Sequence, residues 1–309
     1  MSHSDNSIAK KQKLLRRVRR QRLRYIAILP SLITLINGIC GFAAIVFASR
    51  GAEGSIFHDI SNFAWAGNMI IVAMIADMLD GRIARISKTT SSFGGQLDSL
   101  CDMISFGVAP AFLVLKVMSY KLAAQNGFWG RFIWLAAAIY VACAAIRLAR
   151  FNVENEEDET SHMSFIGLPT PAAAGVLASL VMFYQNVMPK WDVETSLYTV
   201  SETIVIYALP FVTIGIAVLM ISRIPFIHAV NRYLKGRKPV AYLFWALGIF
   251  GFIGLCGLTT ALFIGFCVFV ISGFAKWCYI RVAARSSKRQ MVEPAILSVT
   301  NPKDDVQED

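Results

Sequence analysis

The sequence predicts an all-α, polytopic membrane protein. Of its 309 residues 56% are hydrophobic and only 16% are charged. The apolar residues fall in long runs that approach the roughly 20 residues needed to span a bilayer, which a water-soluble core does not require. Lysine and arginine gather in alternate connections between those runs, as the positive-inside rule expects of a multi-pass chain. No soluble domain and no internal repeat is evident.

Residues 1–9 read as disordered, and a basic stretch follows from Lys10 to Arg24. Leu14, Leu15, Val18, Tyr25 and Ile26 recur among these cations at near-helical spacing. This predicts an amphipathic helix lying on an anionic lipid surface. A basic run can also serve nucleic acid, but direct continuation into an apolar segment favours lipid, and no nucleic-acid partner is expected. That segment, about 26–48, is longer than the 7–15 apolar residues of a signal peptide and is interrupted by Thr34 and Asn37, so it reads as an uncleaved first transmembrane helix.

Further apolar segments lie at about 62–82, 97–118, 129–150, 167–187, 204–222, 239–256 and 258–280, making about eight spans in all. Almost nothing separates the last two around Gly254, Cys256 and Gly257, which predicts a tight hairpin. After about residue 285 the chain turns polar and ends acidic, the composition of a disordered tail. The organisation is then a basic N-terminal segment (1–25), a transmembrane core (26–222), a polar loop with a helix pair (223–285) and a tail (286–309).

With the N-terminus inside, the cytoplasmic segments hold the Lys10–Arg24 run, Arg82, Arg85, Lys88, Arg147, Arg150, the Arg223–Lys238 group and the C-terminal basic residues. The opposite side holds only Arg50, Lys116, Lys121, Arg131 and Lys190. The asymmetry predicts an even number of spans in the cell (inner) membrane with both termini cytoplasmic.

Against this apolar background, Asp77, Asp80, Asp98 and Asp102 stand out. A charged side chain at bilayer depth costs about 2.5–3.5 kcal/mol on insertion scales, so an intramembrane acid points to function. On helices, Asp77, Asp80 and Ala84 share one face and Asp98 and Asp102 share another, so two helices can present their acids to one point. Carboxylates that close repel, and divalent cations relieve the repulsion. With oxygen ligands and no neighbouring His or Cys, the cations are hard ones, Mg²⁺, Mn²⁺ or Ca²⁺. Two such ions can neutralise and polarise a diphosphate. Gly81, Ala84 and Gly94 are small enough to let a ligand or helix approach the backbone. The acids lie at the cytoplasmic end of their segments, away from the midplane site expected of an ion-coupled transporter.

A second polar group closes the fourth apolar segment: Arg147, Arg150 and Asn152, followed by acidic residues from Glu154 to Glu159. Arg147 and Arg150, three apart, can fork together onto phosphate or carboxylate. Snorkelling at a helix end is the ordinary use of such a pair. The six cysteines stand singly in apolar segments and read as small buried hydrophobes. The four histidines show no ligand spacing.

Taken as one pattern, D-x-x-D-G-x-x-A-R-x8-G-x-x-x-D-x-x-x-D over 77–102 resembles the signature of the CDP-alcohol phosphatidyltransferases. R-L-A-R-F-N (147–152), F-x-G-L-P-x-P-A-A (165–173), and Leu29-Pro30 followed by Thr34, Asn37, Cys40 and Gly41 are similar to segments of the bacterial and archaeal phosphatidylserine synthases. The likeness covers about 25–190, with Ser31 departing from the usual Asn after the proline. It implies a six-helix core with an added C-terminal helix pair, and a homodimer. The implied reaction transfers a phosphatidyl group from CDP-diacylglycerol to L-serine, releasing CMP. Glycerol 3-phosphate or inositol phosphate is the alternative acceptor within the family. The resemblance further implies two divalent cations on Asp77, Asp80 and Asp98, with Asp102 as general base and second-metal ligand. It assigns Gly81, Ala84, Arg85, Gly94, Thr34 and Asn37 to the nucleotide or donor, and Arg147, Arg150 and Asn152 to acceptor or phosphate groups.

Overall fold

In lipid the backbone must satisfy its own N–H and C=O groups, and long apolar runs with few breakers do so as helices. A computed structural model describes residues 31–51, 60–87, 92–122, 127–157, 167–188, 196–222 and 257–299, with Ile224 and Ile253. All the secondary structure among these is helical. In chain order the elements are α1 (Ser31–Ser49), α2 (Asn62–Ser87), α3 (Ser92–Asp102), a π-helical turn (Met103–Val108), α4 (Ala109–Lys121), α5 (Phe128–Glu157), α6 (Thr170–Asn186), α7 (Ser196–Ile221) and α8 (Leu258–Val299). The basic N-terminal segment, Leu29-Pro30, the Arg223–Lys238 group and nearly all of the expected span at 239–256 lie outside the described residues.

Six helical stretches among the described residues are long and apolar enough to cross a membrane: Ser31–Ser49, Asn62–Ile83, Phe93–Lys121, Phe128–Val153, Val200–Ile221 and Leu258–Tyr279. The chain is an integral membrane protein, and the eightfold count is not reached among these residues. One of the remaining two segments is outside them. The other is α6, 17 residues long and so about 26 Å by helical rise.

The position of α6 explains how it can be short. It packs against α2, α4, α5, α7, α8 and the π turn, so it is the central element. Ala173, Ala174, Gly175, Leu177 and Ala178 are buried along it. Lipid offers no hydrophobic drive for helices to associate, so close van der Waals packing must hold them, and small residues allow it. At Gly175 the ring of Phe266 from α8 occupies the space a side chain would need. Around α6, the large side chains Phe63, Ile70, Leu113, Met118 and Tyr140 complete the core.

Two local features shape the chain near its acids. The π turn follows Asp102 directly, and the Ala109 N–H donates to the Ile104 carbonyl five residues back. The added residue re-aims the helix so that Ser105, Phe106 and Gly107 are buried, and the Tyr140 hydroxyl donates to the Phe106 carbonyl at 3.0 Å. Before α6, Gly167 adopts φ +93°, a conformation that favours glycine, and a side chain there would meet the Met220 carbonyl. Its N–H donates to the Ile224 carbonyl and that of Leu168 to Leu219, which moors the start of α6 to the end of α7.

The C-terminal helix differs from expectation. Instead of giving way to a disordered tail after about 285, α8 continues as helix to Val299. Polarity marks where a helix leaves lipid, and 280–299 still contains many good helix formers.

Candidate active site

The acids meet where α2 and α3 come together. One carboxylate oxygen each from Asp77, Asp98 and Asp102 lies within 4.8 Å of the other two. Asp80 is buried beside them and close enough to interact electrostatically with all three. The expected helical spacing is present on both elements: Asp77 and Asp80 lie a turn apart on α2, and Asp98 and Asp102 a turn apart on α3.

The first helix closes this cluster from a third side. Thr34 Oγ1 donates to Asp80 Oδ2 at 2.8 Å, and Asn37 Nδ2 donates to Asp102 Oδ1 at 2.8 Å. Thr34, Asn37, Gly38 and Gly41 share one helical face by their 3- and 4-residue spacings. The two glycines let that face approach α3. A Cβ on Gly38 would lie 2.9 Å from Cys101 Sγ, and one on Gly41 would lie 2.7 Å from the Ser105 Cα. Ser105 Oγ donates to the Asn37 carbonyl at 2.8 Å, fixing the backbone from which the amide projects.

On the other flank stands α5. Arg147 donates from Nη1 to Thr170 Oγ1 at 2.6 Å and interacts electrostatically with Asp102. Asn152 and Ser99 exchange hydrogen bonds at 2.9 and 3.0 Å, so the residue after Asp98 is tied to the end of α5. Arg150 is half-buried on the same helix. Thus the R-L-A-R-F-N block reaches the site through Arg147, bonded to Thr170 of α6, and Asn152, bonded to Ser99 of α3.

The remaining sequence candidates divide. Among the described residues nothing lies within 4 Å of where a side chain on Gly81 would begin, which leaves space there beside Asp80. Gly94 lies in the first turns of α3. Ala84 and Arg85 lie on α2, but their side chains are outside the described residues. The sequence motifs do not include Ser99, Ser105 or Thr170 as site residues, although each contacts a candidate residue. A usable signal existed, because each is polar, inside an apolar segment, and next to or one turn from a motif residue.

Among the described residues, three buried polar atoms in this region have no hydrogen-bond partner: Asp98 Oδ1, Asn37 Oδ1 and Arg147 Nε. Buried polar groups are nearly always paired, so unpartnered atoms beside the acids are candidates for contact with a bound ligand. A convergence of carboxylate oxygens without nitrogen or sulfur donors suits a hard divalent cation, and the unpartnered Asp98 oxygen fits that use.

A profile of the CDP-alcohol phosphatidyltransferase family matches residues 27–271, which include every element of this site. The chain belongs to the CDP-alcohol phosphatidyltransferase family. Its relatives within that family include proteins named CDP-diacylglycerol–serine O-phosphatidyltransferase. One from Helicobacter pylori is 37% identical over 157 residues, 51% of this chain and 58% of that protein, so the match spans little more than half of the relative. One from Methanocaldococcus jannaschii is 29% identical over 69% of this chain and 98% of its own length. A third, from Bacillus subtilis, is 31% identical over 65% of this chain and 90% of its own. The four acids lie within the matched residues, and Asp80 and Asp102 among them are buried.

Proposed function

We propose that the protein transfers the phosphatidyl group of CDP-diacylglycerol to L-serine, giving phosphatidylserine and CMP. The observation that carries this reading is the convergence of Asp77, Asp98 and Asp102 on one point within the complete family motif. The names of the relatives support serine as the acceptor.

Asp77, Asp80, Asp98 and Asp102 would hold a pair of divalent cations, Mg²⁺ or Mn²⁺. When bound, such ions neutralise the donor's diphosphate and make its phosphorus easier to attack. The rest of the work belongs to the chain. Open space at Gly81 leaves room for the cytidine, with Ala84 and Gly94 keeping neighbouring backbone accessible and Arg85 pairing with phosphate. Arg147, Arg150 and Asn152 would bind the serine carboxylate or the donor phosphates. Asp102 accepts the proton of the serine hydroxyl. The serine oxygen bonds to the β-phosphorus, the bridging phosphorus–oxygen bond breaks, and CMP leaves with that electron pair. This is a single displacement, without a covalent intermediate on the enzyme.

The charge asymmetry of the connections supports a cytoplasmic site, where nucleotide and serine are available, with both termini on that side. A homodimer in the inner membrane completes the proposal.

The test is CMP release from CDP-diacylglycerol in detergent micelles, with and without L-serine, with Mg²⁺ or Mn²⁺ against chelator. Release that depends on both serine and cation is the expected result. Release driven equally by glycerol 3-phosphate or inositol phosphate would keep the family and overturn the acceptor. No release with any of these acceptors would overturn the assigned reaction and make transport the next measurement.

A further inference from the structure

The acids come from α2 and α3, yet both helices have an acid held by a third that carries none. We propose that α1 sets the cation affinity of the cluster through two positioning residues, Thr34 acting on Asp80 and Asn37 acting on Asp102. The inference rests on the cation-binding role proposed above and extends it to a helix that supplies no ligand.

Each contact crosses from α1 to a different acidic helix, at 2.8 Å in both cases. α1 is therefore the common reference for the two carboxylates. A carboxylate has two oxygens, and a donor fixed on one restricts its rotation while leaving the other for a ligand. The amide of Asn37 can act only one way round. Reversed, it would set its oxygen against the ionised Asp102 carboxylate, so Nδ2 donates, and Oδ1 is buried without a partner among the described residues. The donors are also neutral. A lysine or arginine in either place would orient the acid equally well but cancel the charge that attracts a cation. Meanwhile the backbone of α1 is held at close range by Ser105 on the Asn37 carbonyl and by the side-chain-free surfaces of Gly38 and Gly41. Such outer partners of ligating groups typically contribute about 10–100-fold to metal affinity.

The test uses the full-length protein in detergent, titrated with Mn²⁺ and read by electron paramagnetic resonance of the free ion. Thr34→Val keeps the side-chain shape and removes the hydroxyl. Asn37→Leu does nearly the same for the amide. Each is expected to weaken Mn²⁺ binding about tenfold or more, and Thr34→Ser, which can still donate, to stay within about threefold of wild type. The Mn²⁺ concentration for half-maximal CMP release should rise by the same factor as the dissociation constant. A packing role alone would lower the folded fraction, judged by size-exclusion profile and helical circular dichroism, without moving either midpoint. Wild-type affinity in folded Thr34→Val and Asn37→Leu would overturn the positioning role while leaving the cation site standing. Absence of saturable Mn²⁺ binding in the wild type would overturn both together.

Discussion

Asp102 is the most constrained residue of the site. It is buried, receives the Asn37 amide, faces Asp77 and Asp98, and interacts with Arg147. Asp102→Asn preserves its size but removes the proposed proton acceptor. Loss of a general base typically costs about 10²–10⁴-fold in rate, and this variant should fall at least that far in serine-dependent CMP release while keeping its helical signal. Arg147 offers a subtler case, because one of its nitrogens is anchored on Thr170 and another is buried without a partner among the described residues. An anchored guanidinium can present the second nitrogen in a fixed direction. Thr170→Val should therefore raise the KM for serine or for the donor, about tenfold for a lost hydrogen bond to a charged group, with Thr170→Ser restoring it. A fall in kcat with both KM values unchanged would sink this role for Thr170.

At the scale of elements, the site depends on how closely α1 meets α3 and the π turn. A methyl group on Gly41 would press on the Ser105 backbone, which cannot swing aside as a flexible side chain could. Overpacking of this kind costs about 1–3 kcal/mol, and here it would also pull Asn37 away from Asp102. Gly41→Ala should lower both thermal stability and activity. Gly215→Ala on α7 is the matched control, because among the described residues nothing lies within 4 Å of where its side chain would begin, and alanine is the better helix former by about 1 kcal/mol. It should be neutral or slightly stabilising in the same detergent melt. Equal effects from the two substitutions would show that helix propensity, not the approach of α1, decides the outcome. The same region marks a limit of the sequence. The acid spacing and the small residues on α1 could be read from the 3- and 4-residue periods, because helical faces follow directly from them. The π turn could not, since Met103–Val108 contains nothing that distinguishes five-residue from four-residue hydrogen bonding. Nor could the partners of Thr34 and Asn37, which are 46 and 65 residues away along the chain. Periodicity says which residues share a face, not which faces meet.

Across the whole molecule, the acids and the Lys121–Glu202 ion pair lie at opposite ends. Asp98 and Lys121 belong to one continuous helical stretch, Phe93–Lys121. At 1.5 Å per residue the 23 steps between them span about 35 Å, more than the roughly 30 Å hydrocarbon thickness. Lys121 pairs with Glu202 at 2.8 Å, and Tyr184 donates to the same carboxylate at 2.8 Å, so the ends of α4, α6 and α7 are tied together far from the acids. That pair lies at a partly exposed edge and contributes no more than about 1 kcal/mol. Its larger use is as a marker of sidedness. Apolar length revealed most of the spans, but it could not show that α6 is central and short, because a buried helix and a lipid-facing one have the same composition. Charge asymmetry supports the proposed orientation independently of that count. Cysteines introduced singly at Arg82 and Gly127, both exposed, in a chain whose native cysteines are replaced, would report the two ends. A membrane-impermeant maleimide should label Gly127→Cys in right-side-out vesicles and Arg82→Cys in inverted ones. The reverse pattern would put the acids on the outer face, where neither CDP-linked donor nor CMP is available. Labelling of both positions from one side would mean that Phe93–Lys121 does not cross the bilayer, and the site would have to be rebuilt from a different topology.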